Sequence, residues 1–457
     1  MADRFGFARL ARCAVAFVVA LTMLVQPAMA QSVLRDAETE ALLAEMSAPL
    51  IKAAGLNPRN VRVVLINDPS INAFATAGQA VYMHSGLIVA ASNANEVQGV
   101  IAHELGHVAG GHSIRINEGI KTATGITLLS LLLGAAAIAA GAGEAGAAVM
   151  AGGQQAALGK FLAFNREQES MTDQMGRRYL AAAGISGKGS IAFFKRLLGI
   201  EFRYAIPQED SYARTHPLSG ERIAILQEAY EQDPAWNTPT DPALEARFAR
   251  VKAKLQGFVN EPRRTLIDYP ETDRSIPARY ARAYAWHRSA YPEKALGEAD
   301  ALLAMKPGDP YFLELKGQIL LESGKPAEAL PLLREAVAKT NAQPLIAALF
   351  GHALIATEDS RNFTEASTVL KAAVAKDNDN PFAWYQLGVV YDRTGDPARA
   401  AMASAERFHL EGRARLALAN AELAVRTLPT GTPDWIRAQD IALVSREQVA
   451  DEKRKRR

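Results

Sequence analysis

The stretch His103-Glu104-Leu105-Gly106-His107 lies in a run whose apolar residues, Val97, Val100, Ile101, Leu105 and Val108, recur at helical spacing. No other feature constrains the chain as much. Residues four apart share a helix face, so His103 and His107 present two imidazoles to one metal while Glu104 stands beside them as a base. A catalytic zinc takes three protein ligands and keeps one position for water, so a further His or Glu is required downstream. A structural zinc site would use four ligands and is usually rich in cysteine, whereas this chain has one, Cys13. The expected chemistry is therefore catalytic, with one Zn2+ per chain.

The segment from Asn165 to Gly176 supplies the candidate donors, with Arg166, Glu169 and Asp173 in regular register. Together with the first motif it resembles the gluzincin peptidases typified by the CAAX prenyl protease and the HtpX heat-shock protease. Their second motif reads R-x-x-E-x-x-A-D, and Thr172 here stands where that family usually has Ala. The resemblance implies that Glu169 is the third metal ligand and that Asp173, one turn on, orients a ligand imidazole. Glu167 reads as part of a solvated face. Thr215-His216-Pro217-Leu218 followed by Glu221-Arg222-Ile223 matches the family's H-P-x-x-x-x-R-I element, which brings His216 and Arg222 towards the metal. His216 then either stabilises the oxyanion of the tetrahedral intermediate or binds zinc as a fourth ligand in a latent state. Both roles stay open at this level.

Upstream, Asn72, Ala73, Phe74 and Ala75, and then Val81 to Leu87, read as two short strands around Ala77-Gly78-Gln79. The family has a strand pair here bordering its cleft, and a substrate strand adding to that edge would be held by Asn72 to Ala75. His84 is expected near the site as a packing residue. His112, five residues after His107, falls off the ligand face of a continuous helix. The implied reaction is peptide hydrolysis with Glu104 as proton acceptor. The implied fold is an α+β zinc metallopeptidase domain, mostly helical with a small edge sheet.

Residues 1–30 read as a secretory signal peptide. Arg4, Arg9 and Arg12 form a basic region, Ala14 to Val25 an apolar one, and Ala28-Met29-Ala30 a cleavage signal. Cys13 would leave with it, and the periplasm is the expected destination. Ala37 to Ala53 has the pattern of an amphipathic helix and Val61 to Ile66 that of a strand. The metallopeptidase domain is expected over 31–230, a helical linker over 231–277, a repeat domain over 278–430, and a C-terminal helix with a basic tail over 431–457. A net charge of +2 on 457 residues offers no footprint for nucleic acid.

The repeat domain rests on small residues. Ala283, Gly317, Gly351 and Gly388 stand 34, 34 and 37 residues apart, and Ala295, Ala329, Ala366 and Ala400 follow the same steps. The longer step is absorbed by extra residues around Glu358 to Asn362. With Trp384, Leu387, Gly388, Tyr391, Gly395 and Ala400, this resembles the tetratricopeptide pattern, an all-α solenoid whose concave groove receives polypeptide. His287, His352 and His409 belong to its helices. The whole arrangement resembles the periplasmic BepA-like peptidases of outer-membrane protein assembly and quality control. The resemblance implies unfolded or misassembled envelope proteins as partners, and the outer-membrane assembly machinery at the repeat groove. The alternative is a chaperone or assembly adaptor with a latent metal site.

Residues 122–143 carry no charge and Ile126 to Ile138 is long and apolar. A single crossing of a membrane there would separate His107 from Glu169. A mobile apolar flap or plug near the cleft, touching the membrane surface, is the expectation.

Overall fold

A computed structural model of the chain describes residues 33–455, apart from 77, 141 and 205–215. The signal-peptide reading of residues 1–30, Cys13 within it, Ala77 and Thr215 lie outside the described residues.

Helix α1 (Ala37–Ala53) begins where the Asp36 carboxylate accepts from the Thr39 N–H at 2.7 Å. Strands β1 (Arg62–Ile66), β2 (Ala73–Ala75) and β3 (Ala80–His84) form a sheet of order β1-β3-β2. β1 runs parallel to β3 and β2 antiparallel to it, with Phe74 opposite Tyr82 and their rings stacked at 5.3 Å. β2 is thus an edge strand. The expected second strand stops at His84, because α2 (Ser85–Ala90) starts at the next residue. Gly86 sits so close to the preceding turn that a β-carbon there would lie 2.1 Å from the Pro69 carbonyl oxygen.

Helix α3 (Ala94–Gly110) carries the histidine motif. Asn93 caps its start by accepting from the Glu96 N–H at 2.9 Å, and Gly111 ends it at φ 63°, a left-handed conformation that a β-carbon disfavours. Every residue from Ala94 to Gly106 is buried. Helices α4 (His112–Ala139) and α5 (Gly143–Ala182) follow as an antiparallel hairpin. The second half of α5 returns to lie against α3, and there the backbones meet through small residues. A β-carbon on Gly106 would come within 2.9 Å of Thr172 Cγ2, and one on Gly176 within 3.2 Å of the Ala102 carbonyl. Helices α6 (Lys188–Tyr204), α7 (Gly220–Glu231) and α8 (Pro242–Val259) close the core, contributing Phe193, Phe194, Leu226, Tyr230, Phe248 and Val251.

The expected flap or plug is a different object. Ile126 to Ile138 is helical, and within α4 only Ile116 and His112 reach the pocket beside His107. At 1.5 Å per residue the leucines around Leu132 lie about 24 Å further along the helix axis.

After α9 (Pro262–Asp268) come the paired helices α10 (Ile276–Arg288) and α11 (Pro292–Met305), α12 (Pro310–Glu322) and α13 (Pro326–Lys339), α14 (Pro344–Ala356) and α15 (Phe363–Lys376), and α16 (Pro381–Arg393) and α17 (Pro397–Leu410). Helices α18 (Ala414–Thr427) and α19 (Pro433–Lys455) end the array. Proline in the first turn recurs because that N–H has no helical partner to lose. A 3-10 turn over Ser360–Asn362 takes up the extra residues of the longer step. The small residues matter where helices touch: a β-carbon on Gly317 would lie 2.6 Å from Leu333, and one on Gly351 2.5 Å from Leu370. At Gly388 the nearest atom would be 3.5 Å away, an ordinary contact.

A buried ionic cluster joins α1 to the repeats. Glu38 pairs with Arg250, accepts from Tyr280 Oη at 2.7 Å, and lies 3.4 Å from Lys254 Nζ. Arg250 also reaches Asp309 at 2.7 Å, and Lys254 pairs with Asp36. Removing one member leaves charge buried with fewer partners, which outweighs any gain from desolvating less. Glu38→Ala is therefore expected to lower unfolding stability by about 3 kcal/mol, read as a lower urea midpoint. A change within about 0.5 kcal/mol would place the cluster in the class of surface pairs.

Candidate metal centre

His103 and His107 project from one face of α3, Glu169 comes from α5, and His216 from the segment leading into α7. His103 Nε2 and His107 Nε2 are 3.2 Å apart, and each lies 3.2–3.3 Å from His216 Nδ1. Glu169 Oε1 is 3.1 Å from His216 Nδ1 and 3.3 Å from His107 Nε2, and Oε2 is 3.4 Å from His103 Nε2. Three ring nitrogens 3.2–3.3 Å apart, and a carboxylate whose oxygens lie 3.1–3.4 Å from them, converge on one point, a donor set and spacing suited to a single zinc ion. The donor set points the same way. Three ring nitrogens facing one point cannot all satisfy each other by hydrogen bonds, since lone pairs then meet lone pairs, whereas a cation at the centre accepts all of them.

The donors are held from behind. His103 Nδ1 donates to Asp173 Oδ1 at 3.0 Å, which leaves Nε2 for the metal, and its ring meets Phe194 edge-on at 5.9 Å. Arg222 clamps Asp173 with two bonds of 2.6 and 2.9 Å, reaches Glu169 Oε2 at 3.1 Å, and donates to the Pro217 carbonyl at 2.7 Å. Burial alone would raise both carboxyls. Instead the nearby His216 ring and the hydrogen bonds from the histidines hold Glu169 far below the ordinary range, and hydrogen bonds from Arg222 and His103 lower Asp173. Glu104 is fully buried, and among the described residues neither of its carboxylate oxygens has a hydrogen-bond partner. His216 Nε2 lies 3.4 Å from its Oε1. That same nitrogen lies 3.4 Å from the carbonyl oxygen of Ala73 on the edge strand. Phe74 and Ala75 line the pocket beside His107, and Asn72 is buried, its carbonyl accepting from the His84 N–H at 2.9 Å.

The model of peptidase family M48 matches residues 34–230, and a tetratricopeptide repeat model matches 288–344 and 355–409. The beta-barrel assembly-enhancing protease of Escherichia coli (strain K12) is 26% identical over 357 residues, spanning 76% of this chain and 71% of that protein. Its namesake in Yersinia pestis is 25% identical over 356 residues, with the same coverage. The metalloprotease YcaL of Escherichia coli (strain K12) is 33% identical over 186 residues, covering 40% of this chain and 67% of that protein. The chain belongs to peptidase family M48. It is a metalloprotease of mostly helical fold with a three-stranded sheet, followed by tetratricopeptide helices, and its candidate metal site is formed by His103, His107 and Glu169.

One residue of this M48 site escaped the sequence reading. His112 Nδ1 lies 3.0 Å from His107 Nδ1 and 3.0 Å from Thr172 Oγ1, the residue that departs from the family motif. Burial, then the nearby His107, push the His112 ring down to about 4, so it is neutral near pH 7. In the tautomer whose Nδ1 carries the lone pair, this ring accepts the His107 Nδ1 proton, which leaves His107 Nε2 for a metal. Helix periodicity placed His112 off the ligand face, but Gly111 breaks the helix between the two histidines. A glycine just before that histidine was the available signal. His84 accepts from or donates to Ser70 Oγ at 2.8 Å and stays outside the donor set.

Against the effect of burial, Asp173 and Glu169 raise the His103 pKa to about 9. Below that pH the ring carries an extra proton that a metal must displace, so affinity rises with pH up to about 9 and levels off above it. One released proton corresponds to about a tenfold change per pH unit, measurable by chelator competition across that range. Metal analysis of Glu169→Ala is expected to show a marked loss. Asp173→Ala, which keeps all four donors, should weaken binding by about 10 to 100-fold. Unchanged affinity there would reduce Asp173 to a passive neighbour.

Proposed function

We propose that this M48 protein is a zinc-dependent endopeptidase of the bacterial envelope, probing misfolded or stalled outer-membrane proteins that its repeat groove engages. The observation that carries this reading is the set of four donors converging on one point, with the carboxylate of Glu104, which among the described residues has no hydrogen-bond partner, beside it. The envelope destination rests on the signal-like residues 1–30 and on the relatives named for β-barrel assembly. His103, His107 and Glu169 hold the metal. When bound, zinc supplies Lewis acidity towards the scissile carbonyl and acidifies water to a pKa of about 7. Glu104 takes a proton from the attacking water and returns it to the leaving amine, a task suited to a carboxylate kept free of other hydrogen bonds. The substrate main chain adds to the outer edge of β2, along Asn72, Ala73, Phe74 and Ala75. Arg222 and Asp173 hold the donors in place.

His216 supports a second, compatible reading. Its Nδ1 occupies the corner that a catalytic site keeps for water. The described conformation therefore corresponds to a latent enzyme, which would act as a chaperone or assembly adaptor through its repeats until His216 withdraws.

Glu104→Gln preserves shape and removes the proton acceptor, so metal content should hold while cleavage of an unfolded protein such as casein falls by about 100-fold or more. Undiminished, chelator-sensitive cleavage would falsify the mechanism. His216→Ala should open the fourth corner and raise basal cleavage or self-cleavage. If turnover instead drops by about 100-fold with metal retained, His216 is an oxyanion stabiliser and the latent reading fails.

A further inference from the structure

The pocket beside His107 contains one polar group that the metal chemistry leaves unused. Its apolar walls are Phe74 from β2, Ile116 from the start of α4 and Phe164 from α5, and its volume is about 180 Å³. A cavity of about 150 Å³ with apolar walls admits benzene, so this one has room for a single aromatic ring. Ile116, 43% exposed, forms the part of the wall nearest solvent.

Gln168 lies in the same wall, one residue before Glu169, and is only 6% exposed. Its backbone carbonyl accepts from Thr172 Oγ1, but among the described residues nothing donates to its side-chain Oε1. A buried amide oxygen without a donor is costly, and it favours an occupant that brings a partner. The last torsion of a glutamine is soft, so oxygen and nitrogen exchange places easily. An occupant must therefore donate to the one or accept from the other. A hydroxyl does both, and a phenyl ring does neither. Serine and threonine carry a hydroxyl but leave most of the volume empty. An ammonium would lose its water against three apolar walls, and a carboxylate would be repelled by Glu104, which also lines the pocket. The side chain that satisfies both ring-sized walls and carboxamide is a phenol.

We propose that Gln168 is a specificity residue, selecting tyrosine over phenylalanine at the substrate position whose side chain enters this pocket. The inference rests on the peptidase reading and adds to it the side chain that is read. Phe74 and Ala75 belong both to the pocket and to the edge strand along which the substrate main chain is placed, while His107 and Glu169 belong both to the pocket and to the metal site. The residue entering the pocket therefore adjoins the scissile bond. Its ring packs on Phe74, Ile116 and Phe164, and its hydroxyl meets the Gln168 carboxamide.

Two measurements test it, one of binding and one of turnover. Succinyl hydroxamates that differ in one side chain, 4-hydroxybenzyl, benzyl or methyl, are titrated into the zinc-loaded full chain carrying His216→Ala, which frees the fourth donor position. The 4-hydroxybenzyl probe is expected to bind about tenfold more tightly than the benzyl probe, through one recovered hydrogen bond. In casein digests mapped by mass spectrometry, tyrosine should exceed phenylalanine by a similar factor at one position beside the cleaved bonds, corrected for abundance. Gln168→Met keeps the side-chain length and removes both polar atoms, so with zinc content unchanged the ratio should fall to about one. Ile116→Trp tests the pocket without touching α5: by narrowing it, this change should weaken both aromatic probes by about fivefold or more and spare the methyl probe. Equal binding of the two aromatic probes, a preference that survives Gln168→Met, or equal weakening of all three probes by Ile116→Trp would overturn the proposal. Casein cleavage without the tyrosine preference would overturn it and leave the peptidase reading standing. Tyrosine-selective binding with no cleavage of any substrate would support the pocket and sink the peptidase reading, and if no hydroxamate binds, both fall.

Discussion

The close crossing of α3 and α5 is the contact on which the site depends. One helix offers Gly106 and the other Gly176, each facing the partner's backbone or Thr172 at a distance tighter than an ordinary β-carbon contact. Their approach sets the distance between the two histidines of α3 and the two carboxylates of α5. A side chain at Gly106 would press on Thr172 at 2.9 Å and push the helix that carries Glu169 outward, and one at Gly176 would need the facing backbone to give by a few tenths of an ångström. Close packing here is thus a condition for coordination as well as for stability.

Much of this was readable from local pattern. The limits of α1 follow from apolar spacing within a few turns of chain, and the repeat helices from a step of small residues that recurs every 34 residues. His103 and His107 were legible for the same reason, and Glu169 through the likeness of its segment to the family's second motif. What escaped depended on distant contacts. The strand through Leu87 was cut at His84 by the turn at Pro69 pressing on Gly86. The apolar run of α4 read as a plug because its partner is made of glycine and alanine, residues that announce no pairing. Likewise, the ionic cluster of Glu38, Arg250 and Lys254 assembles residues more than 200 positions apart in sequence, and no periodicity reports it.

His112 and Thr172 show how a motif departure acquires meaning only in three dimensions. A methyl-bearing hydroxyl where the family has a methyl alone is a small change on paper. In the folded chain its oxygen lies within hydrogen-bond distance of a histidine that in turn orients His107. Thr172 Oγ1 also donates to the Gln168 carbonyl at 2.8 Å, so its own rotamer is fixed by the helix it belongs to.

The four donors are unequal in how they are held. His103, His107 and Glu169 stand on two helices locked together by their glycines, so moving any of them means unpacking a core of Val97, Val100, Leu105 and Leu180. His216 sits instead on a short segment before α7, tethered by long contacts of its Nε2 to Ala73 and Glu104, and by the hydrogen bond from Arg222 to Pro217. Exchanging this donor for water leaves the glycine-locked crossing of α3 and α5 in place, which moving any of the other three would not. A strand arriving at β2 would compete for the Ala73 carbonyl that faces His216 Nε2. The group that closes the site is thus the one that an incoming substrate is best placed to dislodge.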